Sequence, residues 1–183
     1  MTARPTTHSL LLGDKAPAFD LPATDGQTYS RNSFRDAPYL VVIFLANHCP
    51  YVSSWEDRII AIGKEYGHRG VAFVAISSND TGKVPQDSFE EMRRRAEEKG
   101  YPFPYLYDED QSVARAYGAT RTPEVFVFDQ ERLLVYHGAV DSDFEEGSGT
   151  EHYLREALNS LRSGQRIWLP ETPPLGCTIK FKA

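Results

Sequence analysis

The sequence predicts an α/β domain with a central mixed β-sheet flanked by helices on both faces. Two observations lead to this prediction. Apolar runs alternate with segments of helical spacing, and two strands joined by a short polar loop follow them. Strands that alternate with helices form parallel sheets covered on both faces, and a later hairpin adds antiparallel strands. The 183 residues are enough for one domain with a full core.

The stretch 39–52 is the centre of the predicted fold. Its first half is a continuous apolar run, which is typical of a strand buried on both faces. Apolar residues then recur at helical spacing from Val52 to Tyr66, so Cys49 falls in the first turn of a helix and Pro50 suits its first position. Because a helix N-terminus favours an anion, a thiolate is stabilised there.

The other elements follow in chain order. Residues 1–12 are predicted to be a flexible arm, and 13–183 a single domain with an N-terminal β-hairpin around Asp25-Gly26 and an extended C-terminal tail. The predicted elements between them are a strand at 71–76, a helix capped by Ser88 and Glu91, a proline- and aromatic-rich segment at 101–107 that leads into a short strand, a helix at 111–117, strands at 124–128 and 133–137, and a helix capped by Thr150.

Charge and composition limit the classes of function. The net charge is −6 and no basic tract stands out, which argues against nucleic acid or anionic membranes as partners. The longest apolar run is too short for a membrane span, and no signal-peptide core is evident, so a cytoplasmic address is expected. The two cysteines, Cys49 and Cys177, do not form a disulfide scaffold, and each is either a small buried side chain or a chemical group.

Three motifs carry a resemblance to a known family. The chain is similar to peroxiredoxin-like members (AhpC/TSA, redoxin) of the thioredoxin-fold proteins, whose active loop reads Cys-Asn-His-Cys-Pro-Tyr/Phe-Val. The matching segments here are Ala46-Asn47-His48-Cys49-Pro50-Tyr51-Val52, Arg121-Thr122-Pro123-Glu124-Val125-Phe126 and Gly176-Cys177-Thr178-Ile179-Lys180. The resemblance runs from about residue 12 to the end, and it implies a thioredoxin-like fold.

The resemblance also implies roles for the residues. Cys49 is the candidate redox thiol and Cys177 a candidate resolving thiol, although each can also be a cysteine that only packs. His48 tunes the thiol or carries a proton, or else it fixes the loop together with Asn47. The resemblance makes Pro123 a cis proline and gives a site for substrate or partner that comprises Asn47, Pro50, Thr122 and Pro123.

No cofactor or metal is predicted. No further ligand at close spacing joins His48 and Cys49. The acidic clusters 108–110 and 141–143 could bind Ca²⁺, but they do not match the EF-hand pattern and are interpreted as solvated acids.

The chain departs from the family at Ala46, where the motif has its first cysteine. A dithiol cycle cannot run within a loop that holds one sulfur. The threonine and proline that peroxiredoxins place three and seven residues before the cysteine fall on Ala46 and Val42, and their arginine falls near Pro123.

Three hypotheses therefore stay open. The first is a thiol-dependent enzyme that reduces a peroxide or a protein disulfide through Cys49, with Cys177 or an external thioredoxin-like thiol reductant completing the cycle. The second is a redoxin scaffold that binds an extended partner segment along Thr122-Pro123 without catalysis. The third is a thiol-disulfide oxidoreductase whose first cysteine has been replaced by Ala46. The sequence gives no oligomeric state.

Overall fold

The computed structural model describes residues 10–48 and 50–183. Its strands are β1 (Asp20–Pro22), β2 (Thr28–Ser30), β3 (Tyr39–Phe44), β4 (Val71–Ser77), β5 (Tyr105–Tyr107), β6 (Arg121–Thr122), β7 (Glu124–Phe128), β8 (Leu134–Gly138) and β9 (Cys177–Thr178). Its helices are α1 (Pro50–Gly67), α2 (Phe89–Lys99), α3 (Ser112–Tyr117) and α4 (Tyr153–Arg162), with 3-10 turns at Arg31–Phe34 and Pro85–Asp87.

The central sheet has five strands in the order β5-β4-β3-β7-β8. Strands β3, β4 and β5 are parallel, whereas β7 and β8 run antiparallel to their neighbours. Loops border both edges of this sheet: the Thr24 N–H donates to the Tyr105 carbonyl at 3.0 Å, and the His137 N–H donates to the Pro170 carbonyl at 3.0 Å. The prediction of a mixed α/β sheet is confirmed.

Alternate residues of the buried strands pack into two core layers, as a strand's period of two requires. On β3, Val41 and Ile43 face the layer that contains residues of α1, α2 and α4. Leu40 and Val42 face the layer that contains α3 and the N-terminal hairpin. Because helices or loops cover both faces, β3 is apolar throughout, and its carboxyl end leads into the predicted active loop.

Several predicted boundaries are confirmed. The hairpin pairs Asp20 to Pro22 with Thr28 to Ser30. Helix α2 begins after Ser88, whose Oγ accepts a hydrogen bond from the Glu91 N–H at 3.2 Å, and it ends at Gly100 in the left-handed conformation.

Replacing Ser88 with alanine is expected to lower the free energy of unfolding by about 1 kcal/mol, because one N–H at the start of α2 loses its acceptor. Urea denaturation measures the change. Ser160→Ala, within α4, is the control and should alter stability by at most about 0.5 kcal/mol. Equal stability of Ser88→Ala and the parent protein would contradict the capping role.

Two predictions about polar residues are wrong. Thr150 does not cap α4: the helix starts at Tyr153 after His152, and the Thr150 Oγ accepts from the Gly147 N–H at 2.8 Å within its own turn. The acidic clusters are not wholly solvated, since Asp108 and Asp141 are buried. Asp108 accepts from the Ala114 N–H at 2.9 Å in α3, and burial raises its pKa.

Asp141 is also paired rather than solvated, because Arg58 of α1 donates to its Oδ2 at 2.7 Å. Within the described ranges, no group of His, Cys, Asp and Glu side chains is arranged to hold a metal ion. In the same residues, none of the helices is both long enough and apolar enough to cross a bilayer.

Candidate active site

The candidate active loop joins the carboxyl end of β3 to α1. Ala46 is fully buried and packs into the core, so the position of the family's first cysteine carries a methyl group that has no contact with solvent. Cys49, the candidate redox thiol, lies outside the described residues. Helix α1 begins at Pro50, as the sequence predicted from the position of the proline.

Asn47 is held by three hydrogen bonds. Its backbone N–H donates to Asp87 Oδ1 at 2.7 Å, its Nδ2 donates to the Gln86 carbonyl at 3.2 Å, and its Oδ1 accepts from the Tyr105 hydroxyl at 2.9 Å. Burial and the negative charge of Asp87 raise the pKa of Tyr105, so the hydroxyl stays protonated and donates. Asn47 therefore fixes the loop, which was one of the two interpretations of the Asn47-His48 pair.

His48 contacts a buried carboxylate. Its Nδ1 lies 2.6 Å from Asp87 Oδ2, and its side chain is 24% exposed whereas that of Asp87 is 0% exposed. Among the described residues, this nitrogen has no hydrogen bond of aligned geometry, so the interaction is a close polar contact rather than a linear bond.

An open depression of about 390 Å³ lies beside His48. Asn47 and His48 form one wall, and the others come from the 3-10 turn and from α2. The lining residues from those two elements are Gln86, Glu91, Arg94, Arg95 and Glu98. Both signs of charge line the depression, and Glu91 and Arg94 pair at 3.0 Å, so it favours a small polar molecule over an apolar one.

The second predicted segment is the turn at Thr122-Pro123. The peptide bond between them is cis, as the resemblance implied. Thr122 is buried, and its strand β6 pairs antiparallel with β9, so that Thr122 stands opposite Cys177 and Arg121 opposite Thr178.

Within the C-terminal tail that the sequence predicts to be extended, Cys177 lies in the short strand β9. The Ile179 N–H donates to the Thr120 carbonyl at 2.8 Å, and Arg121 Nη1 donates to the Gly176 carbonyl at 3.1 Å. These bonds hold the strand on both sides of Cys177. The Cys177 sulfur is disulfide-bonded.

Two buried carboxylates near these segments were not singled out from the sequence. Asp87 lies under the active loop. Glu124 lies beside the cis bond, where its Oε1 accepts from the Thr120 and Arg121 N–H groups at 3.3 Å each and its Oε2 lies 3.2 Å from His137 Nε2. Glu124 is in a quoted motif, but only the structure shows that it organises the turn before Pro123.

The fold and this site define a thioredoxin-fold protein with a candidate thiol site at the end of its central strand. A thioredoxin-family thiol:disulfide interchange protein of Chlorobium tepidum has the same fold: its TM-score is 0.63 at 21% identity, over 88% of this chain and 99% of that one. A hypothetical protein of Sinorhizobium meliloti is more similar, with a TM-score of 0.89 and 38% identity over 96% of this chain and 97% of that one.

The sequence comparisons name the family. The redoxin family model matches residues 11–154. A Mycobacterium tuberculosis protein, provisionally named as a peroxiredoxin, is 30% identical over 141 residues, which cover 75% of this chain and 82% of that protein. The chain belongs to the redoxin family, and this membership supports a thiol-dependent oxidoreductase activity.

Proposed function

We propose that this protein reduces small peroxides through Cys49, that Cys177 resolves the product, and that an external thiol reductant restores the two thiols. The observation that carries the proposal is the pairing of β9 with β6, which holds Cys177 opposite Thr122, next to the cis bond at Pro123. A resolving thiol must be held where it can meet its partner, because a disulfide forms only over short Cα separations.

The state of Cys177 supports its role as a resolving thiol. Its sulfur is in a disulfide, and the chain has two cysteines in all. The proposal therefore pairs Cys177 with Cys49. Since Ala46 leaves one sulfur in the active loop, the second sulfur of a two-electron cycle has to come from elsewhere in the chain or from another molecule.

The proposed cycle has three steps. The Cys49 thiolate attacks one peroxide oxygen, the O–O bond breaks, and a sulfenic acid forms while water or an alcohol leaves with a proton. The Cys177 thiol then attacks the sulfenic sulfur, which forms the disulfide and releases water. A dithiol reductant exchanges with this disulfide and supplies two electrons and two protons. The need for a thiol reductant fits the cytoplasmic address predicted from the sequence.

A small oxidant is favoured over an extended polypeptide as the substrate. The edge of β6 beside Pro123 pairs with the chain's own β9, so a polypeptide could pair there only after the tail had left. A peroxide needs no strand edge, and the depression beside His48 is open to small polar molecules. The same pairing counts against the hypothesis of a scaffold that binds a partner segment along Thr122-Pro123.

Rapid mixing of the reduced protein with hydrogen peroxide tests the proposal, with mass spectrometry of the quenched products. Reduced parent protein should consume one equivalent of peroxide and form one intramolecular disulfide. Cys49→Ser should do neither. Cys177→Ser should still consume peroxide, but should accumulate a sulfenic acid at Cys49 that dimedone traps.

The two cysteine variants separate the claims about each sulfur. Peroxide consumption by Cys49→Ser at the parent rate would contradict the assignment of the redox thiol. Absence of a trapped sulfenic acid in Cys177→Ser, with peroxide still consumed, would contradict the assignment of the resolving thiol. Faster turnover of insulin disulfides than of hydrogen peroxide would contradict the choice of substrate.

A further inference from the structure

Asp87 is a buried carboxylate that lies directly under the active loop. Its Oδ1 accepts from the Asn47 N–H at 2.7 Å, and its Oδ2 accepts from Asn79 Nδ2 at 2.7 Å. The same Oδ2 lies 2.6 Å from His48 Nδ1. A buried charge is costly unless polar partners surround it, and these three partners supply that environment.

Two of these contacts, with Asn47 and Asn79, hold the loop and the tail in place, whereas the contact with His48 is not needed for this. The bond to the Asn47 N–H fixes the loop, and the bond to Asn79 continues to the tail, because Asn79 Oδ1 accepts from the Lys180 N–H at 2.7 Å. The contact with His48 instead brings a charged oxygen to a titratable ring that precedes Cys49 in the sequence.

The contact with His48 distinguishes the two ring nitrogens. Nδ1 is buried against Asp87, whereas the side chain as a whole is partly exposed. A carboxylate next to Nδ1 favours the tautomer that carries its proton on that nitrogen, which leaves Nε2 with a free lone pair. In its neutral form the ring then has one nitrogen that can take up a proton.

We propose that Asp87 is a positioning residue for the chemistry of Cys49, because it holds His48 with the proton on Nδ1 and so makes Nε2 the nitrogen that exchanges protons with the reactants. This inference rests on the proposed function. The Nε2 lone pair accepts the thiol proton as the thiolate forms. The same proton then passes to the oxygen that leaves the peroxide, so the ring ends the step as it began.

The first test determines which ring nitrogen of His48 carries the proton, and it requires no reaction. Long-range ¹⁵N–¹H correlation spectra of the parent protein, recorded at a pH where the ring is neutral, should show the His48 proton on Nδ1. Asp87→Asn should populate the Nε2–H form to a larger extent. A parent spectrum with the proton on Nε2 would overturn the proposal, and this outcome does not depend on whether any variant folds.

The second test is a double-mutant cycle on the rate at which hydrogen peroxide oxidises Cys49, measured in a Cys177→Ser background. Asp87→Asn keeps an acceptor oxygen for the Asn47 N–H but removes the charge. It should slow the oxidation by about tenfold while His48 is present, which is less than the roughly 100-fold or more expected for loss of a general acid–base group, because the imidazole ring itself remains. In a His48→Gln background it should have little further effect.

The cycle separates positioning from a structural role. If Asp87→Asn slows oxidation equally with and without His48, Asp87 acts through the loop alone and the proposal is overturned. An unreactive Cys49 in the parent would instead contradict the proposed function, whereas the tautomer spectrum would still decide the claim about Asp87 and His48.

Discussion

If Cys177 resolves Cys49 as proposed, Gly176→Val is expected to detach β9 from β6 and to slow formation of the Cys49–Cys177 disulfide by about 100-fold, because the Cys177 thiol would no longer be held in place by its strand. A Cβ atom at position 176 would lie 2.0 Å from the Thr122 carbonyl oxygen and 3.0 Å from the Pro123 nitrogen. Both are backbone atoms, so no side chain can move aside, and the strand pairing has to give way.

The rate is measured by adding hydrogen peroxide to the reduced protein and blocking free thiols at timed intervals. Gly147→Val is a matched control, since a Cβ atom there meets nothing within 4 Å. We expect Gly176→Val to consume peroxide at the parent rate in the first turnover. Cys49 should then remain as a sulfenic acid, which excess peroxide oxidises further to the sulfinic acid. Disulfide formation at the parent rate would contradict the role of the β6–β9 pairing.

The β6–β9 pairing could not be predicted from the sequence. The prolines at 170, 173 and 174 predicted an extended approach to Cys177. They gave no indication of the partner, because Thr122 and Cys177 are far apart in the chain and two-residue strands have no periodic pattern. By contrast, β3 and β4 were predictable because a strand buried on both faces is apolar throughout, which is a local property of the sequence.

The candidate site likewise contains some residues that the sequence identifies and one that it does not. Cys49, His48 and Asn47 lie in a motif and could be assigned from it. Asp87 occurs in a polar segment between β4 and α2, where an acid is ordinarily solvated, and only its burial shows that it matters. A buried carboxylate whose partners come from two distant segments, the active loop and Asn79, has no local pattern in the sequence that would reveal it.

The side chain of Arg132 also connects distant segments of the chain. Arg132→Ala is therefore expected to lower the free energy of unfolding by about 3 kcal/mol. The guanidinium is largely buried and donates to four carbonyl oxygens: those of Phe34 at 2.8 Å, Ala37 at 2.7 Å, Pro38 at 3.0 Å and Asp129 at 3.1 Å. Burial lowers the pKa of Arg132. Alanine would leave these oxygens without that donor, and it would have to adopt the φ of +62° found here.

Thermal unfolding measures the change, which should lower the melting temperature by roughly 6–12 °C for a chain of this size. Arg166→Ala is the control, because Arg166 is exposed and its loss should change stability by no more than about 0.5 kcal/mol. Equal melting temperatures for the two variants would contradict the role of Arg132.

The loss of Arg132 should leave the candidate site largely unaffected, although Arg132 contacts the start of the strand that leads to it. Ala37 and Pro38 immediately precede β3, so Arg132 ties the loop between β7 and β8 to the start of the strand that leads to the active loop. The β3–β7 pairing remains to hold the strand in register, from Leu40 opposite Phe128 to Phe44 opposite Glu124. We therefore expect Arg132→Ala to lower stability strongly while leaving the rate of Cys49 oxidation, measured well below the melting temperature, within about twofold of the parent rate, since contacts that lie far apart act nearly independently.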